Sequence, residues 1–109
     1  MKYLLTLSIF VFAPLFTASA ERQLDRLHRY IADRAGESIA DGYIDRIVTF
    51  CQGLSTFPLR GKARDDLLPG LRTVGFERRA TIAFMVTTEA VLIEGVFYGG
   101  QDFEANFPE

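Results

Sequence analysis

A chain of 109 residues that is 49% hydrophobic and carries ten phenylalanines can bury one core and has no room for a second, so residues 1–109 are expected to form a single domain. A charged fraction of 24% without repeats or low-complexity runs excludes disordered and solenoid readings, and a formal net charge of -2 argues against direct sequence-specific nucleic-acid binding. Cys51 is the only cysteine and His28 the only histidine, so a disulfide framework, a Cys-rich metal site and a Cys–His catalytic pair lack their residues, and no metal or cofactor is expected.

Residues 1–20 read MKYLLTLSIFVFAPLFTASA: a basic start at Lys2, an apolar stretch over residues 3–16, and the small-x-small run Ala18-Ser19-Ala20 of a secretory signal. Thr6, Ser8 and Pro14 interrupt a stretch already too short for a membrane span of ~20 residues, so no stable membrane anchor is expected. The same residues suit a covered first strand, through Ile9, Phe10, Val11, Phe12, Leu15 and Phe16, with Thr17 or Ser19 capping the helix that follows. Composition does not separate the two readings.

Over residues 19–35, Leu24, Leu27, Ile31 and Ala35 recur at helical spacing among Arg and Asp residues, and Gly36 supplies a stop. Ser38 stands three residues before Asp41 in a capping-box-like start. Beyond it, Ala40, Tyr43, Ile44, Ile47, Val48, Cys51 and Leu54 form a second, broader apolar stripe. These two segments predict a helical hairpin, with Cys51 an inert core thiol and His28 packing on the flank of the first helix.

After Phe57-Pro58, the polar segment LRGKARDDLLPG reads as a loop. Residues 71–76, 79–87 and 91–98, rich in Val, Ile, Thr and Phe, predict three strands, the last two joined by a tight turn around TTEA. Gly99-Gly100 closes the last strand. Helices followed by antiparallel strands describe an α+β fold with the hairpin on one face of a small sheet. A strand before the helices would cover an apolar edge that three strands leave open.

The segment FTASAERQLDRLHRYIADRAGE resembles the opening Phe-Thr-Pro-x-Ala-x-x-x-Leu and Tyr-Ile-Ala segments of ParE toxins. Phe57-Pro58-Leu59-Arg60-Gly61, Arg64-Asp65-Asp66, Pro69-Gly70-Leu71-Arg72 and the run from Val96-Phe97-Tyr98-Gly99-Gly100 to Gln101-Asp102-Phe103-Glu104 are similar to that family in order and spacing. The resemblance covers about residues 16–107, within the RelE/ParE superfamily and on its ParE, plasmid-stabilisation, branch. It implies a RelE/ParE-like fold: an N-terminal strand, a helical hairpin, and a three-stranded antiparallel meander completing the sheet. Residues 1–15 would then be an N-terminal extension and first strand in a cytoplasmic protein, with export as the alternative. The sequence departs from the family in the extra residues before Phe16-Thr17 and in Ala18, where Pro is usual.

The resemblance further implies a toxin of a type II toxin–antitoxin system that binds DNA gyrase without bond chemistry of its own and is neutralised by a ParD-like antitoxin. RelE-type nucleases need basic residues on the scissile phosphate and proton-transfer groups near the end of the last strand. There this chain has Gly99-Gly100-Gln101, so no catalytic residue is assigned; a RelE-like ribosome-dependent mRNA endoribonuclease, or an exported or inactive module, remains the alternative. Tyr98 is expected to pack rather than to donate a proton. Arg60, Lys62, Arg64, Arg72, Arg78 and Arg79 are candidates for a basic face that contacts target or antitoxin, or for a solvated rim paired with Asp65, Asp66 and Glu77. Tyr30, Tyr43 and Phe50 are candidate anchors for the antitoxin, and Phe103 and Phe107 either contact the target or pin the tail to the sheet.

Overall fold

In the computed structural model, which describes residues 13–99, Thr17 is the point where an edge strand becomes a helix. Strand β1 (Ala13–Phe16) runs into Thr17 in extended geometry (φ -66°, ψ 163°), and the Thr17 hydroxyl accepts the Ala20 amide at 3.1 Å. Thr17, not Ser19, is therefore the cap of α1 (Ala18–Ala35). Ala20, Leu24 and Leu27 are buried and Ile31 is half-buried, whereas Ala35, expected on the same stripe, is exposed.

The start of the second helix differs from the capping box expected at Ser38. Helix α2 (Glu37–Gly53) begins directly after Gly36, which ends α1 by donating its amide to the Ala32 carbonyl at 2.9 Å. At φ 99° Gly36 turns the chain in one residue, so Ser38 falls inside the first turn and no side chain caps the helix. Ala40, Tyr43, Ile44, Ile47, Cys51 and Leu54 are buried as the stripe predicts, and burial pushes the Cys51 thiol up to about 12.

Among the described residues four strands follow the helices, not three: β2 (Lys62–Ala63), β3 (Leu71–Phe76), β4 (Ala80–Val86) and β5 (Ala90–Tyr98). The short β2 lies within the segment read as loop. It pairs Lys62 with Thr73 and Ala63 with Arg72, and Gly61 makes this possible, since a Cβ there would sit 2.2 Å from the Thr73 carbonyl oxygen. The sheet order is β1-β5-β4-β3-β2, antiparallel except that β1 runs parallel to β5, from Ala13 opposite Ala90 to Phe16 opposite Ile93. The first strand thus covers the β5 edge, as expected; Ile9, Phe10, Val11 and Phe12 lie outside the described residues.

A register shift between Ala83 and Phe84 leaves Glu94 bulged, because Ala83 faces Gly95 and Phe84 faces Ile93. The Gln23 side-chain carbonyl accepts the Val96 amide at 2.7 Å beside the bulge, tying α1 to the sheet. A Cβ on Gly95 would lie 2.5 Å from the Phe97 ring, which explains the glycine.

Phe16, Leu24, Ile47, Leu54, Ile82, Phe84, Val91 and Ile93 fill the space between helices and sheet. The opposite face carries a smaller cluster of Leu71, Ala83 and Phe97, packed by Leu67 and Leu68 of the loop after β2. The described part is thus an α+β domain with its hairpin on one face of a mixed sheet. No helix among the described residues is long and apolar enough to cross a membrane.

Candidate functional site

Helices α1 and α2 and strands β3 and β5 bring five rings into a continuous series of pairwise contacts. Tyr30 lies 6.0 Å from Tyr98 and Tyr98 5.9 Å from Tyr43, measured between ring centroids. Tyr43 is 5.7 Å from Phe76, and Phe76 is 5.3 Å from Phe50. All are tilted or edge-on, the arrangement in which aromatic pairs attract. Tyr43 and Phe76 are buried and form the floor, Phe50 and Tyr98 are half-buried, and Tyr30 is exposed.

Arginines sit over three of these rings: Arg34 at 3.8 Å from the Tyr30 centroid, Arg46 at 5.3 Å from Tyr43 and Arg60 at 5.1 Å from Phe50. Tyr43, Arg46 and Phe50 share one edge of α2 through their i, i+3, i+7 spacing. Arg46 also holds Glu77 by two bonds of 2.8 and 3.1 Å, and this arginine keeps the Glu77 carboxyl below its ordinary range. The Tyr43 hydroxyl is buried with no hydrogen-bond partner among the described residues. Burial, with Tyr98 and Glu77 nearby, pushes it up to about 12 against the opposing pull of Arg46 and Arg79.

The turn between β3 and β4 is strained. Glu77 and Arg78 have φ of 48° and 65°, and the Arg79 amide donates to the Phe76 carbonyl at 3.2 Å. Two residues with positive φ suit Asn-Gly, so Glu-Arg here costs free energy that Arg46, by clamping Glu77, helps offset.

The six basic candidates do not form one continuous face. Lys62 and Arg72 lie at the β2 end of β3, whereas Arg78 and Arg79 occupy the turn at its other end. Arg72 donates to the carbonyls of Leu59 (2.7 Å), Arg60 (3.0 Å) and Gly61 (3.4 Å), and Arg64 makes a two-bond pair with Asp66. Asp65 accepts the Gly70 amide at 2.8 Å, which shapes the loop. The loop so held presents Phe57 and Leu59, the most exposed large hydrophobic residues of the described chain.

Tyr30, Tyr43 and Phe50 are brought together by the series of ring contacts, which adds Tyr98 and Phe76. Arg34 and Arg46 were not among the sequence candidates, although the Tyr43, Arg46, Phe50 period on one helix edge is visible in the sequence. His28 bonds Asp41 at 2.7 Å across the hairpin, in agreement with its expected flank role. Phe103 and Phe107 lie outside the described residues.

A solved structure titled "Chromosomal ParDE TA system from P. aeruginosa" superposes with a TM-score of 0.70 at 22% identity, over 81% of this chain and 96% of that one, a likeness of fold. Toxin ParE3 of Caulobacter vibrioides is 39% identical over 57 residues, which span 52% of this chain and 57% of that relative's length. Residues 15–103 match the family described as the ParE toxin of the type II toxin–antitoxin system parDE, and by that match the chain belongs to the ParE toxin family.

Proposed function

We propose that this ParE-family toxin acts by binding rather than by bond chemistry, that it inhibits DNA gyrase in the cytoplasm, and that a ParD-like antitoxin neutralises it. The observation that carries the reading is the family match over residues 15–103. The disposition of the basic residues supports binding over phosphate cleavage. Arg64 is engaged by Asp66 and Arg72 by three loop carbonyls, so two of the six basic candidates already hold the loop and are not aimed at a phosphate. Tyr43, pushed up to about 12, is a poor proton-transfer group near neutrality.

The test is supercoiling of relaxed plasmid by purified gyrase, with and without the full-length chain and the protein of a neighbouring candidate antitoxin gene, scored for trapped cleaved DNA. Inhibition reversed by the partner is the expected result. Undisturbed supercoiling with folded chain in excess, together with cleavage of ribosome-bound mRNA, would replace the reading with that of a ribonuclease.

A further inference from the structure

We infer that the loop after α2, which carries Phe57 and Leu59 on either side of Pro58, is a shallow insertion loop for the surface of an anionic lipid bilayer. The inference goes beyond the gyrase and antitoxin readings and does not depend on them. It concerns a reversible contact made by residues that take no part in the ring contacts between hairpin and sheet.

The side chains point to a phase other than water. Phe57 is 63% and Leu59 73% exposed, more than any other large hydrophobic residue described. Two such side chains on one loop are a standing cost in water, and exposed apolar groups that lie together mark contacts with a protein or a membrane.

The backbone beneath them is prepared for desolvation. A loop that enters a phase of low dielectric must satisfy its own amides and carbonyls, because each one left unbonded there costs free energy. Here the Phe57 amide donates to the Gly53 carbonyl at 3.3 Å, Pro58 has no amide, and the Arg60 amide donates to the Phe57 carbonyl at 3.2 Å. The Arg72 guanidinium donates to the carbonyls of Leu59 and Arg60 and, more weakly, to that of Gly61. The loop thus satisfies these polar groups from within the protein while its apolar side chains stay exposed.

Charge selects the occupant. Arg60 and Lys62 are exposed close in the chain to Phe57 and Leu59, and neither forms an ion pair among the described residues. The carboxylates of the next loop are already engaged, Asp65 by the Gly70 amide and Asp66 by the two bonds from Arg64. Apolar side chains flanked by unpaired cations suit an anionic leaflet, where the former enter the acyl boundary and the latter stay with the headgroups. A nucleic acid would neutralise the cations but leave Phe57 and Leu59 in water. A protein cleft would have to match the loop in shape, whereas a bilayer surface takes it without any such match. Two side chains and two cations give a weak association, not an anchor.

The chain has no tryptophan, so a single introduced one reports on its own surroundings. Phe57→Trp places it in the loop; Ile39→Trp places it at a residue 59% exposed near the other end of α2, about 20 Å of helix away. Both positions are exposed, so both full-length variants are expected to melt like wild type by circular dichroism. They are titrated with vesicles of phosphatidylglycerol and phosphatidylcholine in equal parts, and with vesicles of phosphatidylcholine alone. With the anionic vesicles the Phe57→Trp emission should move to the blue and resist acrylamide quenching, and added salt should reverse both effects, while Ile39→Trp stays unchanged. In co-sedimentation with the same vesicles, Phe57→Ser/Leu59→Ser and Arg60→Gln/Lys62→Gln should each partition roughly tenfold or more below wild type.

Equal shifts at the two tryptophan positions, an equal response to phosphatidylcholine alone, or no binding to anionic vesicles would each overturn the inference. So would sedimentation with the Phe57→Trp emission unmoved, or a serine variant that sediments like wild type. A Phe57→Trp shift produced by purified gyrase and not by vesicles would also overturn it and assign the loop to a protein target.

Discussion

Replacing Arg72 by Met keeps most of the aliphatic stem and removes the guanidinium that holds the 59–61 loop. Two of its bonds, to Leu59 at 2.7 Å and Arg60 at 3.0 Å, are well formed, and the third, to Gly61 at 3.4 Å, is weak. A hydrogen bond to a charged donor contributes about 1.5–3 kcal/mol where the site is dry, and considerably less where the acceptors are rehydrated on its loss. The bonds lie at the surface, so two effective bonds scale to about 2 kcal/mol in all. With a urea m-value of about 1–3 kcal/mol/M, the midpoint should fall by roughly 1 M at unchanged slope. Arg72→Lys retains the charge but not the planar fork and should recover less than half of the loss. Urea denaturation followed by circular dichroism reads both variants. A midpoint for Arg72→Met within error of wild type would refute the view that this guanidinium organises the loop displaying Phe57 and Leu59.

Gln23→Leu should destabilise by about 1–3 kcal/mol, because it strips the acceptor from the Val96 amide at the bulge, and hydrogen exchange at Val96 should accelerate in step; unchanged protection there would show that the amide has another acceptor. Arg78→Gly should raise stability by about 0.5–1 kcal/mol, since the residue sits at φ 65° and glycine relieves the strain, and a fall in the thermal midpoint would contradict that account. Alkaline pH should weaken the fold: Tyr43 and Cys51 both have acidities suppressed by burial, so the unfolded chain ionises first and stability declines as pH climbs from 9.0 and 10.0 toward about 12. Cys51→Ala should flatten the part of that decline that begins lowest, which pH-dependent thermal melts would show.

The helical hairpin and the strands β3, β4 and β5 were legible because their periods run long enough to be read: seventeen or eighteen residues of helix, six to nine of strand. The two-residue β2 carries no period at all, and its existence depends on a close backbone approach at Gly61 that only tertiary structure creates. The capping box expected at Ser38 lost to a glycine hinge, since a helix that starts immediately after a positive-φ residue leaves no separate cap position. In the site, the aromatic anchors Tyr30, Tyr43 and Phe50 were identifiable by type. Arg46 was not, because its role comes from Glu77, 31 residues away, and Tyr98 does not show its ring partners in the local sequence, whereas Arg34 follows Tyr30 by four residues on the same helix and its pairing was legible there. The cluster of six basic residues looked continuous because loop and strand lie close in sequence, but β3 separates its two groups in space.

The parallel pairing of β1 with β5 joins Ala13 to Ala90 across nearly the whole described chain. Because β5 lies between β1 and β4, neither the first strand nor the hairpin packed upon it reaches its final setting before residues 90–98 have left the ribosome. During synthesis the growing chain can build helices but not the sheet that aligns their rings. Tyr98, which bridges Tyr30 and Tyr43, arrives on that same last strand. The contacts between the rings of the hairpin and those of the sheet therefore cannot form until residues 90–98 have been made.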